Sequence, residues 1–236
     1  MFEPSPEPKA HVGVADGIAQ QIKARILSGA LAVGVRLPPE RELARTFNVS
    51  PIVLRQALHV LKAEGLIVIK RGATGGAFVA APDHSVVSDT LSTFLRLRGT
   101  TIEQLSEARL IIEPGVAELA AERRTDEHIA ALRKNVAASI DPARSVVARS
   151  FDNVQFHRYL ADITGNSVLI AAVNSIMDNF VVDLERARLR DSVTSTISCD
   201  HGLILEAICD CDKVSARKLM CSHVANIEVN FNRKDS

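Results

Sequence analysis

Three histidines stand where they could do chemistry together. His157 in FDNVQFHRYL, His201 in CDHGLILEAI and His223 in MCSHVANIE each sit among apolar residues, in three separate runs of helical periodicity. A single inward histidine is ordinarily a hydrogen-bonded core residue. Neutral imidazole is also a favoured ligand for divalent cations, and helical bundles commonly build such sites from facing helices. Together the three are read as a candidate site for one divalent metal ion. Asn153, four residues before His157, shares its helix face to within about 40°, whereas Asp152 is about 140° away. No Glu or Asp falls at a motif spacing that would give these histidines a general base, so a three-histidine metal hydrolase is considered and set aside. Cys209-x-Cys211 is not read as a metal pair, because residues two apart on a helix point to different sides.

A second group lies in NVSPIVLRQALHVLKAEGL. Leu54, Ala57, Leu58 and Leu61 make the inward stripe of a helix, which leaves Pro51, Ile52, Arg55, Gln56 and His59 on its outward side. In a helix-turn-helix the second helix puts its N-terminal residues against base edges in the major groove. Arg pairs with guanine, Gln with adenine, and an apolar side chain meets the thymine methyl. Ser50 caps this helix and stands with the DNA-facing set; Pro51 occupies the first helical position, where its missing N–H costs nothing. Arg41 before it, and Lys70 and Arg71 after it, supply positive charge for phosphates or the minor groove.

These residues need elements to hold them. Residues 1–10, with three prolines, read as a disordered tail. Val14, Ile18, Ile22 and Ile26 repeat every four residues, giving a first helix over 13–27. A second is expected over 40–47, preceded by Pro39. The third ends at Gly65, and the runs LIVIK and GAFVA about the turn RGATGG make a hairpin. Three helices and a hairpin form a winged helix-turn-helix over 11–80. After a linker at 81–84, seven helices are expected, near 84–98, 101–123, 126–140, 142–163, 167–189, 194–210 and 213–231. They form an antiparallel all-α bundle over 85–232.

Composition agrees. The 236 residues are 47% hydrophobic and 24% charged, with eight Phe, one Tyr and no Trp, as in packed helices. Net charge is zero, yet residues 1–80 hold ten Lys and Arg against six Asp and Glu, a balance of +4 that the remainder offsets with −4. A basic small part joined to an acidic large one points to a polyanion partner for the first. No apolar run reaches the roughly 18 residues of a membrane span, and the N-terminus lacks a signal-peptide core, so the expected location is cytoplasmic. In that compartment Cys199, Cys209, Cys211 and Cys221 are expected to pack as reduced small hydrophobes.

The stretch GALAVGVRLPPERELARTFNVSPIVLRQALHVLKAEGLIVIKRGATGGAFV closely resembles the DNA-binding domain of the GntR family of bacterial transcription regulators. Gly34 with Leu37-Pro38, Glu40-Arg41, Leu43-Ala44, Val49-Ser50, Arg55, Ala57-Leu58, Glu64-Gly65-Leu66 and Phe78-Val79 carry the match. The resemblance implies a homodimer on a short palindromic operator, with Arg41 and Arg55 near bases or phosphates and Arg71-Gly72 at a wing tip in the minor groove. Position 51, often an arginine that contacts DNA in such proteins, is proline here.

The second part resembles the FCD ligand-binding domain of the FadR subfamily, whose seven helices distinguish it from the VanR-like group. That resemblance implies a metal site of Asn153, His157, His201 and His223, holding zinc, nickel or another divalent ion, with an amide where many members have a carboxylate. SEARLIIEPGVAELAAERR also matches, which implies that Arg109 holds the carboxylate of a small effector; the alternative reading of Arg109 is a surface i, i+4 ion pair with Glu113. The function implied is a ligand-responsive regulator, most often a repressor and not an enzyme. A regulator that senses the metal alone is the second reading.

Overall fold

The computed structural model describes residues 12–72, 74–81, 84–187 and 191–232. The expected tail at 1–10 lies outside them, as do Pro82 and Asp83 of the expected linker. The chain divides into two compact units, Met1–Val86 and Val87–Ser236.

The first unit contains α1 (Val12–Leu27), α2 (Glu40–Thr46), α3 (Pro51–Ala63), β1 (Ile67–Lys70) and β2 (Gly76–Val79). Ser50 accepts a hydrogen bond from the Val53 amide 3.3 Å away and so caps α3, with Pro51 at its first turn. Gly65, at φ 71°, takes a left-handed turn after α3 into β1. The hairpin is antiparallel and pairs Ile67 with Val79 and Lys70 with Gly76; Arg36 adds a bridge to Phe78. Arg36 also donates to the Gly75 carbonyl, and a side chain at Gly76 (φ 143°) would press within 2.9 Å of its Nε. The core joins Ile18 and Ile22 of α1 to Leu54, Leu58 and Leu61 of α3 and to Ile67 and Val79. Val14 is exposed, contrary to the four-residue repeat. Four residues advance about 400° around a helix, so each repeat drifts by about 40° and Val14 leaves the face that Ala15, Ile18 and Ile22 occupy.

The second unit holds seven helices among the described residues: α4 (His84–Leu97, whose first turn belongs to the first unit), α5 (Ile102–Arg123), α6 (Asp126–Ile140), α7 (Val146–Ile163), α8 (Ser167–Ala187), α9 (Asp191–Cys209) and α10 (Lys213–Asn232). Their starts are written in side chains. Thr101 with Gln104, and Thr125 with His128, close reciprocal capping boxes on α5 and α6. α7 begins four residues later than the sequence predicts, because Asp141 accepts from the Ala143 amide and Ser145 provides the cap. Gly165 is left-handed at φ 62°, which ends α7, and Asn166 caps α8 through the Val168 amide at 3.0 Å. The core runs from Ala117 and Ala121 of α5 through Phe156 and Leu160 to Ile204, Ile208 and Met220.

The cysteines are free, but Cys199, Cys211 and Cys221 are exposed rather than packed. Cys199 and Cys221 each precede an inward histidine by two residues, which turns them about 200° away from it. Leu61 is fully buried in the first unit. Leu61→Ala is therefore expected to cost that unit about 2–5 kcal/mol in urea unfolding; a loss within error of zero would contradict the described core.

Candidate functional site

In the first unit, α3 turns one side wholly outward. Pro51, Ile52, Arg55, Gln56 and His59 are exposed, as are Arg41, Ser50, Lys70, Arg71 and Gly72. Arg55 is already lightly engaged: its Nε donates to the Pro51 carbonyl at 3.3 Å and lies 3.8 Å from Glu40. Exposed pairs of this kind contribute little, so other acceptors can displace them. Lys70 sits over the Phe78 ring, 4.9 Å from its centroid, which orients the cation at the hairpin's end. The turn between α2 and α3 forms an open hollow lined by Arg41, Arg45, Asn48, Ser50 and Pro51. Arg45 and Asn48 were not expected there. Asn48 takes a left-handed φ of 51°, a conformation asparagine tolerates, and its presence beside Val49-Ser50 was the available signal.

In the second unit, α7, α9 and α10 bring His157, His201 and His223 together, all buried. His201 Nε2 lies 3.1 Å from His223 Nε2, which lies 3.4 Å from His157 Nε2. One ligand atom from each lies within 4.8 Å of the other two. Two nitrogens bound at about 2.0–2.1 Å on a tetrahedral centre are separated by about 3.3 Å. The donor set and its spacing thus fit a divalent cation.

Two of the three outer nitrogens face carboxylates that sequence reasoning missed. Glu113 Oε2 contacts His157 Nδ1, and Asp200 Oδ2 lies 3.2 Å from His223 Nδ1. A carboxylate on Nδ1 keeps the proton there and leaves Nε2 with its lone pair. His201 Nδ1 is buried without a hydrogen-bond partner; its ring is stacked on Phe156, with centroids 4.1 Å apart and planes 15° from parallel.

Arg109 completes the cluster. The i, i+4 pair with Glu113 forms, Nε to Oε1 at 2.5 Å, but in the interior, with both side chains almost wholly buried. Arg109 Nη2 lies 3.4 Å from His157 Nε2, its guanidinium lies over Phe180 at 4.6 Å, and its Nη1 is buried with no partner. Asn153 lines the same cavity, with Oδ1 accepting from the Ser198 hydroxyl at 3.0 Å and Nδ2 donating to the Thr194 carbonyl at 3.4 Å.

Burial decides the protonation states. It opposes ionisation of Glu113, yet the Arg109 charge foremost, with the contacts of Arg109 and His157, holds that carboxyl well below the usual range. His157 and His201 are lowered by burial foremost, His201 further by its two neighbouring imidazoles and Arg109. His223 is lowered to about 4, by burial against the opposing hydrogen bond of Asp200. The cluster therefore sets three neutral imidazoles beside the charged Arg109 and the ionised Glu113, a state ready to ligate.

Two known families divide the chain between them. Residues 14–79 match the family described as bacterial regulatory proteins, gntR family, and residues 104–226 match the FCD domain. The chain belongs to the GntR family, in its FadR-like, FCD-containing branch. Among its relatives, the HTH-type transcriptional regulator LutR of Bacillus subtilis is 29% identical over 210 residues, spanning 86% of this chain and 94% of its own. The HTH-type transcriptional repressor NanR of Klebsiella aerogenes is 28% identical over 236 residues, 95% of this chain and 87% of its own. The fold is shared with Streptococcus agalactiae GntR, at a TM-score of 0.61 and 23% identity over 90% of this chain and 98% of that one. This FCD regulator is thus a bacterial DNA-binding transcription regulator and not an enzyme. Among the described residues, no helix is long and apolar enough to cross a membrane.

A depressed histidine refuses, in the folded state, protons that the unfolded chain takes up. The metal-free regulator is therefore expected to lose stability as pH falls from about 6.5 towards about 4, each buried imidazole contributing up to about 1.4 kcal/mol per pH unit. Glu113 acts in the same direction below its ordinary value of 4.5. Urea unfolding in the presence of chelator between pH 7.5 and 5 measures this; a flat profile would contradict buried neutral imidazoles.

Proposed function

We propose that this regulator is a cytoplasmic homodimeric repressor whose residues 11–80 bind a short palindromic operator and whose residues 85–232 dimerise and bind a small carboxylate effector beside a divalent cation. One observation carries the reading. Three imidazole nitrogens converge beside an arginine whose Nη1 has no partner, where His157, Arg109 and Asn153 line one small cavity. His157, His201 and His223 would hold the cation, zinc or nickel by ligand type, with Asn153 Oδ1 as a fourth donor through the lone pair its Ser198 bond leaves free. The bound cation would supply positive charge and an open position for an anionic oxygen. Arg109 would take the rest of the carboxylate through Nη1. An effector that binds one arrangement of the chain better than another shifts its population by no more than that difference in affinity.

On DNA, Arg55 and Gln56 would read base edges, Ile52 and Pro51 would meet thymine methyls, and Ser50 and His59 would flank them. Arg41, Lys70, Arg71 and Gly72 would meet phosphates or the minor groove. A second reading, in which the cation alone is the signal, is favoured by the size of the cavity. Its volume is about 20 Å³, roughly one water. Competition of chelator and of organic acids against operator binding separates the two.

Metal analysis of wild type beside His201→Ala tests the centre: about one ion per chain is expected in the first and none in the second, and no uptake by wild type after adding Zn²⁺ or Ni²⁺ would refute it. On a selected operator, Arg55→Ala is expected to lose roughly 5- to 150-fold in affinity and relax specificity, while Lys70→Ala weakens all sequences alike and lowers the salt slope by about 1. Unchanged binding by Arg55→Ala would remove it from the reading face.

A further inference from the structure

Glu113 uses both oxygens of one buried carboxylate on two different functional side chains. Oε1 lies 2.5 Å from Arg109 Nε, and Oε2 contacts His157 Nδ1. Neither contact is interchangeable with an exposed ion pair, because Glu113 is only 2% exposed and no water competes for it. The first contact takes Nε of the guanidinium, leaving Nη1 without a partner and Nη2 3.4 Å from His157 Nε2. The second fixes which imidazole nitrogen of His157 carries the proton. A carboxylate oxygen against Nδ1 favours the proton on that nitrogen, and Nε2 then keeps its lone pair, facing His223 Nε2 at 3.4 Å. His223 receives the same treatment from Asp200, which reaches no arginine of the cavity. Glu113 alone, among the described residues, touches both a histidine of the cluster and Arg109.

We propose that Glu113 is the positioning residue of this cavity, one carboxylate that sets the tautomer of His157 for cation binding and anchors Arg109 for anion binding. The proposal rests on the reading of the cavity given above for what the two side chains bind, but not for the tautomer, which exists in the metal-free protein. Glutamine at 113 offers one neutral oxygen where two anionic ones stood. It can accept from Arg109 or from His157, and its amide N–H then faces the other, which already needs an acceptor for its own N–H. Loss of such an outer contact ordinarily weakens metal binding by 10- to 100-fold.

Long-range ¹⁵N–¹H correlation spectra of the metal-free regulator read the histidine tautomers directly, with His157 assigned through a His157→Gln variant. Wild type is expected to show His157 protonated at Nδ1, and Glu113→Gln to lose that preference. In the same pair of proteins, titration with Zn²⁺ alone against a chromophoric chelator is expected to show a 10- to 100-fold weaker affinity in Glu113→Gln. Glu118→Gln, on the same helix but in an exposed pair with Arg217, is expected to leave both readings as in wild type. His157 protonated at Nε2 in metal-free wild type would overturn the proposal, with no variant needed to fold. So would an unchanged tautomer or an unchanged Zn²⁺ affinity in Glu113→Gln. A wild type that binds no Zn²⁺ while its His157 is protonated at Nδ1 would instead refute the metal centre, and leave Glu113 its tautomer role.

Discussion

The helical unit depends on a buried charge that must never be left alone. Arg109 and Glu113 sit one turn apart on α5, each almost without solvent. An isolated ion in such a place is several kcal/mol out of equilibrium with water, and removing one partner of a buried pair typically costs about 3–5 kcal/mol. The pair cancels its own charge, and Arg109 Nη2 and Glu113 Oε2 both touch His157, while Arg109 Nη1 stays without a partner. That explains why three imidazoles can stay neutral in one interior: carboxylates stand against the outer nitrogens of His157 and His223, and burial keeps further protons off all three. The cluster is also poised, since adding a divalent cation to a neutral interior creates the demand for an anion beside it.

Much of this was legible in the chain. Caps, periods and turn residues placed every helix, and the inward stripes of α3 and α7 put Arg55 outside and His157 inside as the wheel requires. The misplacements have local causes. α7 begins at the cap of Ser145 because Asp141 ties up the turn after Pro142, a competition between two hydrogen-bonding side chains that a proline rule does not weigh. Asp191 and Ser192, expected at a break, begin α9.

The site was half legible. Its imidazoles declared themselves because three histidines among apolar residues on three helices have few structural excuses. Glu113 did not, because an Arg and a Glu four apart on a helix is the pattern of an ordinary solvated pair. The distinguishing signal was in the surrounding residues: Glu113 lies on the same face of α5 as Val116, Ala117, Ala120 and Ala121, a run of small apolar residues that is buried, while Glu118 and Glu122 take the exposed side. Asp200 was hidden differently. It neighbours His201 in sequence yet serves His223 on another helix, a pairing that only packing α9 on α10 creates.

The two units use one chemical pair at opposite depths. Arg55 and Glu40, 3.8 Å apart and more than half exposed, form a contact that water and salt already compete for, so a guanine edge or a phosphate can take the arginine at little cost. Arg109 and Glu113, with the same charges, exchange with nothing that lacks both a strong acceptor for the guanidinium and a way into the cavity. Depth thus separates a residue that must release its partner to bind from one that must keep its partner in order to bind. By that criterion Glu40 is a placeholder, and Glu113 is part of the site.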